Sequence, residues 1–280
     1  MSVSAPLRLR PLEIGDLLDE TFRMYRRHFV LFAGISAILS IPSAALLALL
    51  LGSFSSVLQQ SNGTLTDFSF LAPLMAAFAA GLVVSIVILP FTMGAVMYAA
   101  CESALGRPVT AGGVFFGVMR RYFPLLGYWG LFLISLYVAL ALCILPAILW
   151  IWIFVSWIAV TPAMFVENIG LGAAMGRSWR LVEGRWWRTF LILFLMVILW
   201  WVVQIALGAF LQLGQLLLQL FISPFLAAAI AAASGQIVGA VVNPILQIAI
   251  VLIYFDLRVR KEGMDLFQMA YRLSAPPATS

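Results

Sequence analysis

No charged residue stands between Arg121 and Glu167, and this gap narrows the possible folds more than any other feature of the chain. A helix needs about 20 apolar residues to cross the hydrocarbon of a bilayer, because every backbone polar group must be satisfied within the segment. The gap holds enough residues for two crossings, and Pro146 offers a tight turn between them. Comparable runs elsewhere complete a set of predicted spans at about 30–51, 72–99, 123–142, 144–166, 189–210 and 235–255. Composition agrees. The chain is 64% hydrophobic and 10% charged, where soluble domains run at roughly 45–50% and about 25%. A surface this apolar must face lipid. The first run follows Arg26, Arg27 and His28, is too long for a signal-peptide core and lacks a small-residue cleavage site after it, so it is expected to be the first span.

The basic residues then predict how the chain threads. Arg8, Arg10, Arg23, Arg26 and Arg27 precede the first span, and Arg107, Arg120 and Arg121 lie between the second and third. Arg177, Arg180, Arg185 and Arg188 lie between the fourth and fifth, and Arg258, Arg260, Lys261 and Arg272 follow the sixth. Those groups hold all 16 basic residues, and the loops at 52–71, 143–146 and 211–234 hold none. The positive-inside rule predicts six spans with both termini cytoplasmic. Of the 11 acids only Asp67 falls in an outer loop, so the inner face carries a positive excess suited to an anionic leaflet. Cys101 and Cys143 fall at opposite membrane faces and are expected to be free thiols. The segment 211–234, with Gln212, Gln215 and Gln219 on one helical face and Pro224 beyond, reads as an extension of span five, an outer-surface helix or a re-entrant pair.

Three segments that lead into odd-numbered spans share a pattern of aromatic, arginine, aromatic: Phe22 to Phe29, Phe116 to Phe123 and Trp179 to Trp186. In the first, an interfacial helix predicted over 12–28, Ile14, Leu17, Leu18, Phe22, Tyr25 and Phe29 form one stripe at helical spacing. Its other face carries Asp16, Asp19, Glu20, Arg23, Arg26 and Arg27, with Asp19 and Arg23 spaced as an i, i+4 pair. In the third, Met175, Trp179, Val182, Trp186 and Phe190 align likewise. Helices of this kind lie in the plane of the interface. The even spans end alike, with a carboxylate past an aromatic: Tyr98 to Glu102, Phe165 to Glu167, Tyr254 to Asp256. The fold expected is an all-α, polytopic membrane bundle of three helical hairpins, each entered from the cytoplasm through an interfacial helix. It forms a single membrane domain over 1–273 with a flexible tail at 274–280. A chance recurrence of aromatic and basic membrane edges is the competing account of the repeat.

Catalytic chemistry finds no constellation. The single histidine, His28, stands at a membrane edge in a basic run, where an interface anchor is expected rather than a ligand. Neither a zinc-hydrolase nor a serine-elbow motif occurs, nor a phosphate-binding loop. The spans hold no charged residue, only amides: Gln204, Gln236, Asn243 and Gln247. These read as helix-to-helix hydrogen bonds, or as a polar path in a central cavity with Gln204, Asn243 and Gln247 lining it. Asn62-Gly63-Thr64 matches a glycosylation sequon, a pattern common by chance.

Three stretches carry a resemblance. The run from Leu9 to Phe29, LRPLEIGDLLDETFRMYRRHF, resembles the opening of the glycerophosphoryl diester phosphodiesterase membrane-domain family of bacterial proteins. Arg177 to Gly184, RSWRLVEG, is similar to that family's central motif, and Tyr254 to Asp265, YFDLRVRKEGMD, to its closing one. The resemblance spans nearly the whole chain and implies a bacterial plasma-membrane protein of poorly defined role. The family name comes from members in which such a region precedes a soluble phosphodiesterase barrel. No barrel is expected in the short tail after Asp265, so no such activity is expected here. Mitochondrial-type carriers also repeat a hairpin three times, but their Pro-x-acid-x-x-base signature has no counterpart.

The expected role is a non-enzymatic membrane protein that binds lipid or scaffolds other components at the inner leaflet, without cofactor, metal or nucleic acid. Arg23, Arg26, Arg27, Arg120, Arg121, Arg177, Arg180, Arg185, Arg188, Arg258, Arg260 and Lys261 would contact anionic lipid or an acidic protein partner. Asp16, Asp19, Glu183, Asp256 and Glu262 would organise them. The alternative is a transporter or lipid-translocating protein.

Overall fold

A charge-free run rich in Leu, Ile, Val and Phe satisfies its backbone within a helix, and the described residues are helical for most of their length. A computed structural model describes residues 13–41, 71–141, 144–222 and 224–263, and among the described residues there is no strand. In chain order come α1 (Ile14–Arg27), α2 (Phe29–Ile41), α3 (Leu71–Ala104), α4 (Ala111–Met119) and α5 (Tyr122–Ala141). Then follow α6 (Ile144–Ser156), α7 (Val160–Val166), α8 (Leu171–Val182), α9 (Trp186–Leu218) and α10 (Pro224–Glu262). Five stretches are long and apolar enough to cross a membrane: Ile86–Ala104, Tyr122–Ala139, Leu149–Val166, Trp186–Leu218 and Ala233–Glu262. The first expected span, 30–51, enters as α2, an apolar helix as far as Ile41. Its remainder lies outside the described residues, as do Arg8, Arg10, Asn62, Asp67, Cys143, Asp265, Arg272 and the tail at 274–280.

The segment 211–234 proves to be an extension of both its neighbours. α9 continues to Leu218 and α10 starts at Pro224, where a proline at the first helical position loses no bond. The two helices have 33 and 39 residues, or roughly 50 and 58 Å at about 1.5 Å per residue. They outreach a hydrocarbon layer of about 30 Å unless the hairpin tilts. Pro146 is not the turn itself. It lies in the first turn of α6, where no donor is missed. The expected span 144–166 is broken instead at Trp157–Ala159. Ser178 of α8 serves that break, its hydroxyl donating to the Ser156 carbonyl (2.7 Å) and accepting from the Ala159 N–H (3.1 Å).

α10 is the hub. It packs against α1, α3, α7, α8 and α9, and every residue from Gln247 to Leu257 is buried. A helix that is apolar on all sides can be enclosed on all sides. α9 is enclosed on one side only, with Phe194, Trp201, Phe210 and Leu217 among the residues it leaves exposed.

The two amphipathic faces are rotated from the expected stripes. α1 buries Leu17, Thr21, Met24 and Tyr25, while Phe29 is exposed. Thr21 can be fully buried because its hydroxyl donates back to the Leu17 carbonyl at 2.8 Å. The Tyr25 hydroxyl donates to the Val241 carbonyl of α10 at 2.5 Å, so α1 is a packed part of the bundle. α8 buries Ala174, Ser178, Leu181 and Val182, leaving Trp179 exposed. α7 packs against α8, and Ala174 and Ser178 are the small residues of the buried face. α4 approaches α3 closely through Gly117, where a Cβ would lie 2.3 Å from the Tyr98 ring.

Candidate functional site

The C-terminal ends of α3, α7 and α10 and the N-terminal ends of α5 and α9 meet at one end of the bundle, with α8 among them. The charge arrives there because each of these helices changes from apolar to charged at that end. Two ion-pair networks result.

The larger one is a closed ring. Glu167, just past α7, accepts from Arg177 Nε on both carboxylate oxygens at 2.9 Å. Arg177 also pairs with Glu262, which accepts from Arg258 Nε at 3.0 Å. Arg258 lies 3.7 Å from Glu167 and donates to the Tyr254 hydroxyl at 3.1 Å, and that hydroxyl donates to Glu167 at 2.9 Å. Two acids and two bases balance, so the ring is neutral. Burial alone would lower the Arg177 pKa, but its hydrogen bonds to Glu167 and Glu262 outweigh that and raise it. The ring ties α7 and α8, neighbours in sequence, to the distant α10.

The smaller network centres on Asp256, whose side chain is 1% exposed. It accepts from Arg188 of α9 at 2.5 Å and from Arg260, one turn along α10, at 2.9 Å. A buried carboxylate without such partners would be costly, whereas paired and hydrogen-bonded it is held. Beside it, Arg185 donates to the Arg260 carbonyl at 3.5 Å and the Lys261 ammonium to the Arg180 carbonyl. Farther round, Arg121 donates to the backbone and side chain of Asn168 and to the Ile169 carbonyl. Asn168 has φ 56, the left-handed conformation an asparagine tolerates, which aims these acceptors at one guanidinium. Arg107 closes onto Glu102 at 3.1 Å.

The twelve basic residues named from the sequence therefore divide. Arg121, Arg177, Arg188, Arg258 and Arg260 are anchored to protein partners, and Arg185 is half-buried. Arg23, Arg26, Arg27, Arg120, Arg180 and Lys261 are exposed. Arg23 pairs with Glu20 at 3.3 Å, an i, i+3 contact in place of the expected one with Asp19. Of the expected acidic partners, Asp256 and Glu262 join networks, Asp16 is half-buried, and Asp19 and Glu183 are exposed. Glu167 and Asn168 were absent from the expected set. The aromatic-then-carboxylate ending of the even spans had marked Glu167, but nothing in the spacing said which arginine it would meet.

Among the amides, Asn243 Oδ1 accepts from Gln204 Nε2 at 3.3 Å and from the Trp200 indole at 3.2 Å, tying α10 to α9. Gln247 is buried, and its side-chain carbonyl finds no partner among the described residues. Also among the described residues, no group of three His, Cys, Asp or Glu could hold a metal ion, and Cys101 is a buried free thiol.

Fold and site define a class: an all-helical protein with several helices able to cross a membrane and a network of ion pairs gathered at one end. Compared with known proteins, the chain matches no family model, no curated protein and no solved structure.

Proposed function

We propose that this is a multi-pass protein of a bacterial plasma membrane, with six spans in three hairpins and both termini cytoplasmic, that binds anionic lipid at the inner leaflet. The observation that carries the reading is the division of the basic residues. An arginine that serves only the fold ends in a carboxylate or a carbonyl, as Arg177, Arg188, Arg258 and Arg260 do. Arg26, Arg27, Arg120 and Arg180 are instead exposed, as is Lys261 although its ammonium also donates to the Arg180 carbonyl, and most have exposed apolar side chains close by in the chain. Phe29 follows Arg27, Met119 precedes Arg120 and Trp179 precedes Arg180, each substantially exposed. Cations beside exposed rings suit the headgroup layer, where rings enter the acyl boundary and each base adds about 1 kcal/mol toward an anionic surface. The resemblance to the phosphodiesterase membrane-domain family supports the bacterial location and brings no activity with it. A scaffold with an acidic protein partner would use the same outward set.

The test is replacement of Arg26, Arg27, Arg120, Arg180 and Lys261 together by Gln, followed by measurement of phospholipid that co-purifies in mild detergent. The ratio of phosphatidylglycerol to zwitterionic lipid is expected to fall severalfold. An unchanged ratio contradicts the proposal. Arg188 is left in place because its removal would take one of the two arginines that hold the buried Asp256.

A further inference from the structure

Against the N-terminal end of α9 lies a hollow of about 480 Å³, open along one side and lined by Ile151, Trp152, Trp186, Trp187 and Phe190. That size falls within the roughly 300–1,000 Å³ of sites that hold small ligands. No lining residue is charged, and the Trp186 indole N–H is already committed to the Trp152 carbonyl at 3.2 Å. The rings brace one another. Trp186 stacks on Phe190 with centroids 5.3 Å apart and stands edge-on to Trp187 at 4.9 Å. Trp187 is 77% exposed.

The rim is basic. Trp152 meets Trp179 edge-on at 4.8 Å, and the next residue, Arg180, is exposed. The Lys261 ammonium is held at the Arg180 carbonyl, and Arg185 directly precedes α9. One exposed acid, Glu183, opposes these three cations. Gly184, with φ 79, makes the turn between α8 and α9, so Arg180 and Arg185 stand in the chain beside Trp179 and Trp186, the first of which meets the lining residue Trp152 and the second of which is itself a lining residue. An apolar slot with positive charge at one end matches a molecule with an acyl chain at one end and a phosphate at the other. Charge complementarity selects an anionic headgroup over a zwitterionic one.

We infer that this hollow holds an acyl chain of one anionic phospholipid, whose phosphate is drawn to Arg180, Arg185 and Lys261. The inference rests on the proposed lipid-binding role and names the place where one lipid is held specifically. The test is native mass spectrometry of the full chain titrated with dioleoylphosphatidylglycerol, and separately with dioleoylphosphatidylcholine. The unaltered chain is expected to retain one phosphatidylglycerol more tightly than any further one. Ile151→Trp, which fills the hollow, and Trp187→Ala, which removes a wall without overpacking, are each expected to weaken that first binding about tenfold. If Ile151→Trp does not fold, Trp187→Ala decides alone. Retention of the first lipid by Trp187→Ala and by any folded Ile151→Trp overturns the inference, as does equal retention of phosphatidylcholine. If the five-Gln variant sheds phosphatidylglycerol while the hollow variants keep it, the hollow is refuted and the broader lipid-binding role stands. If the unaltered chain shows no preference for phosphatidylglycerol, both fall together.

Discussion

Asp256 is the residue on which the charged end most depends. Its carboxylate is out of reach of water, and Arg188 and Arg260 converge on it from two helices. Asp256→Ala leaves two guanidiniums without their shared counter-charge, and breaking a buried pair in this way costs about 3–5 kcal/mol. A marked drop in the thermal unfolding midpoint in detergent is therefore expected. Glu183→Ala, at an exposed position, is expected to stay within about 0.5 kcal/mol. His28 gives a pH-dependent counterpart. Its pKa is lowered by burial and by the neighbouring Arg27, and its ring stands edge-on to Phe32 at 6.2 Å. The fold thus favours the neutral ring. The stability this contributes is present above the ordinary value of 6.5 and is lost as pH falls from there toward the lowered one. The unfolding midpoint should decline on acidification through that window, and His28→Gln should remove that part of the decline.

Close approach between elements sets the next scale. α4 meets α3 where Gly117 faces the Tyr98 ring, itself edge-on to Phe165 at 5.4 Å. Gly117→Ala must displace that ring, and overpacking of this kind costs about 1–3 kcal/mol. Gly112, on the same helix, has nothing within 4 Å of a built Cβ, so Gly112→Ala is expected to be neutral or stabilising by up to ~1 kcal/mol. Thermal unfolding of the two variants separates close packing from helix propensity. The helices themselves were readable because bilayer thickness and charge-free runs admit few alternatives. The rotation of α1 and α8 was not. Thr21 and Ser178 look polar in the sequence, yet each buries a hydroxyl by bonding it to backbone, and periodicity cannot register that. The break at Trp157–Ala159 did carry a mark, Pro162 in the first turn of α7, which has no N–H to donate back to residue 158.

Across the whole molecule, the sequence showed that charge collects at particular helix ends but not how it pairs. The Arg258–Glu262 and Arg260–Asp256 contacts follow from i, i+4 spacing on α10. The Arg177–Glu167 and Arg188–Asp256 contacts depend on how α7, α8 and α9 surround α10, which only tertiary packing decides. That distinction separates the arginines anchored in the fold from those left exposed, and both proposals depend on the charged end lying in the cytoplasm. With Cys101 and Cys143 replaced by Ala, a cysteine is placed at Lys261, and in a second variant at Gln219. Whole cells are then treated with a membrane-impermeant thiol reagent. The threading predicts that the cysteine at 219 reacts and that the one at 261 reacts only after the membrane is opened. Reaction at 261 in intact cells, with 219 protected, would contradict it.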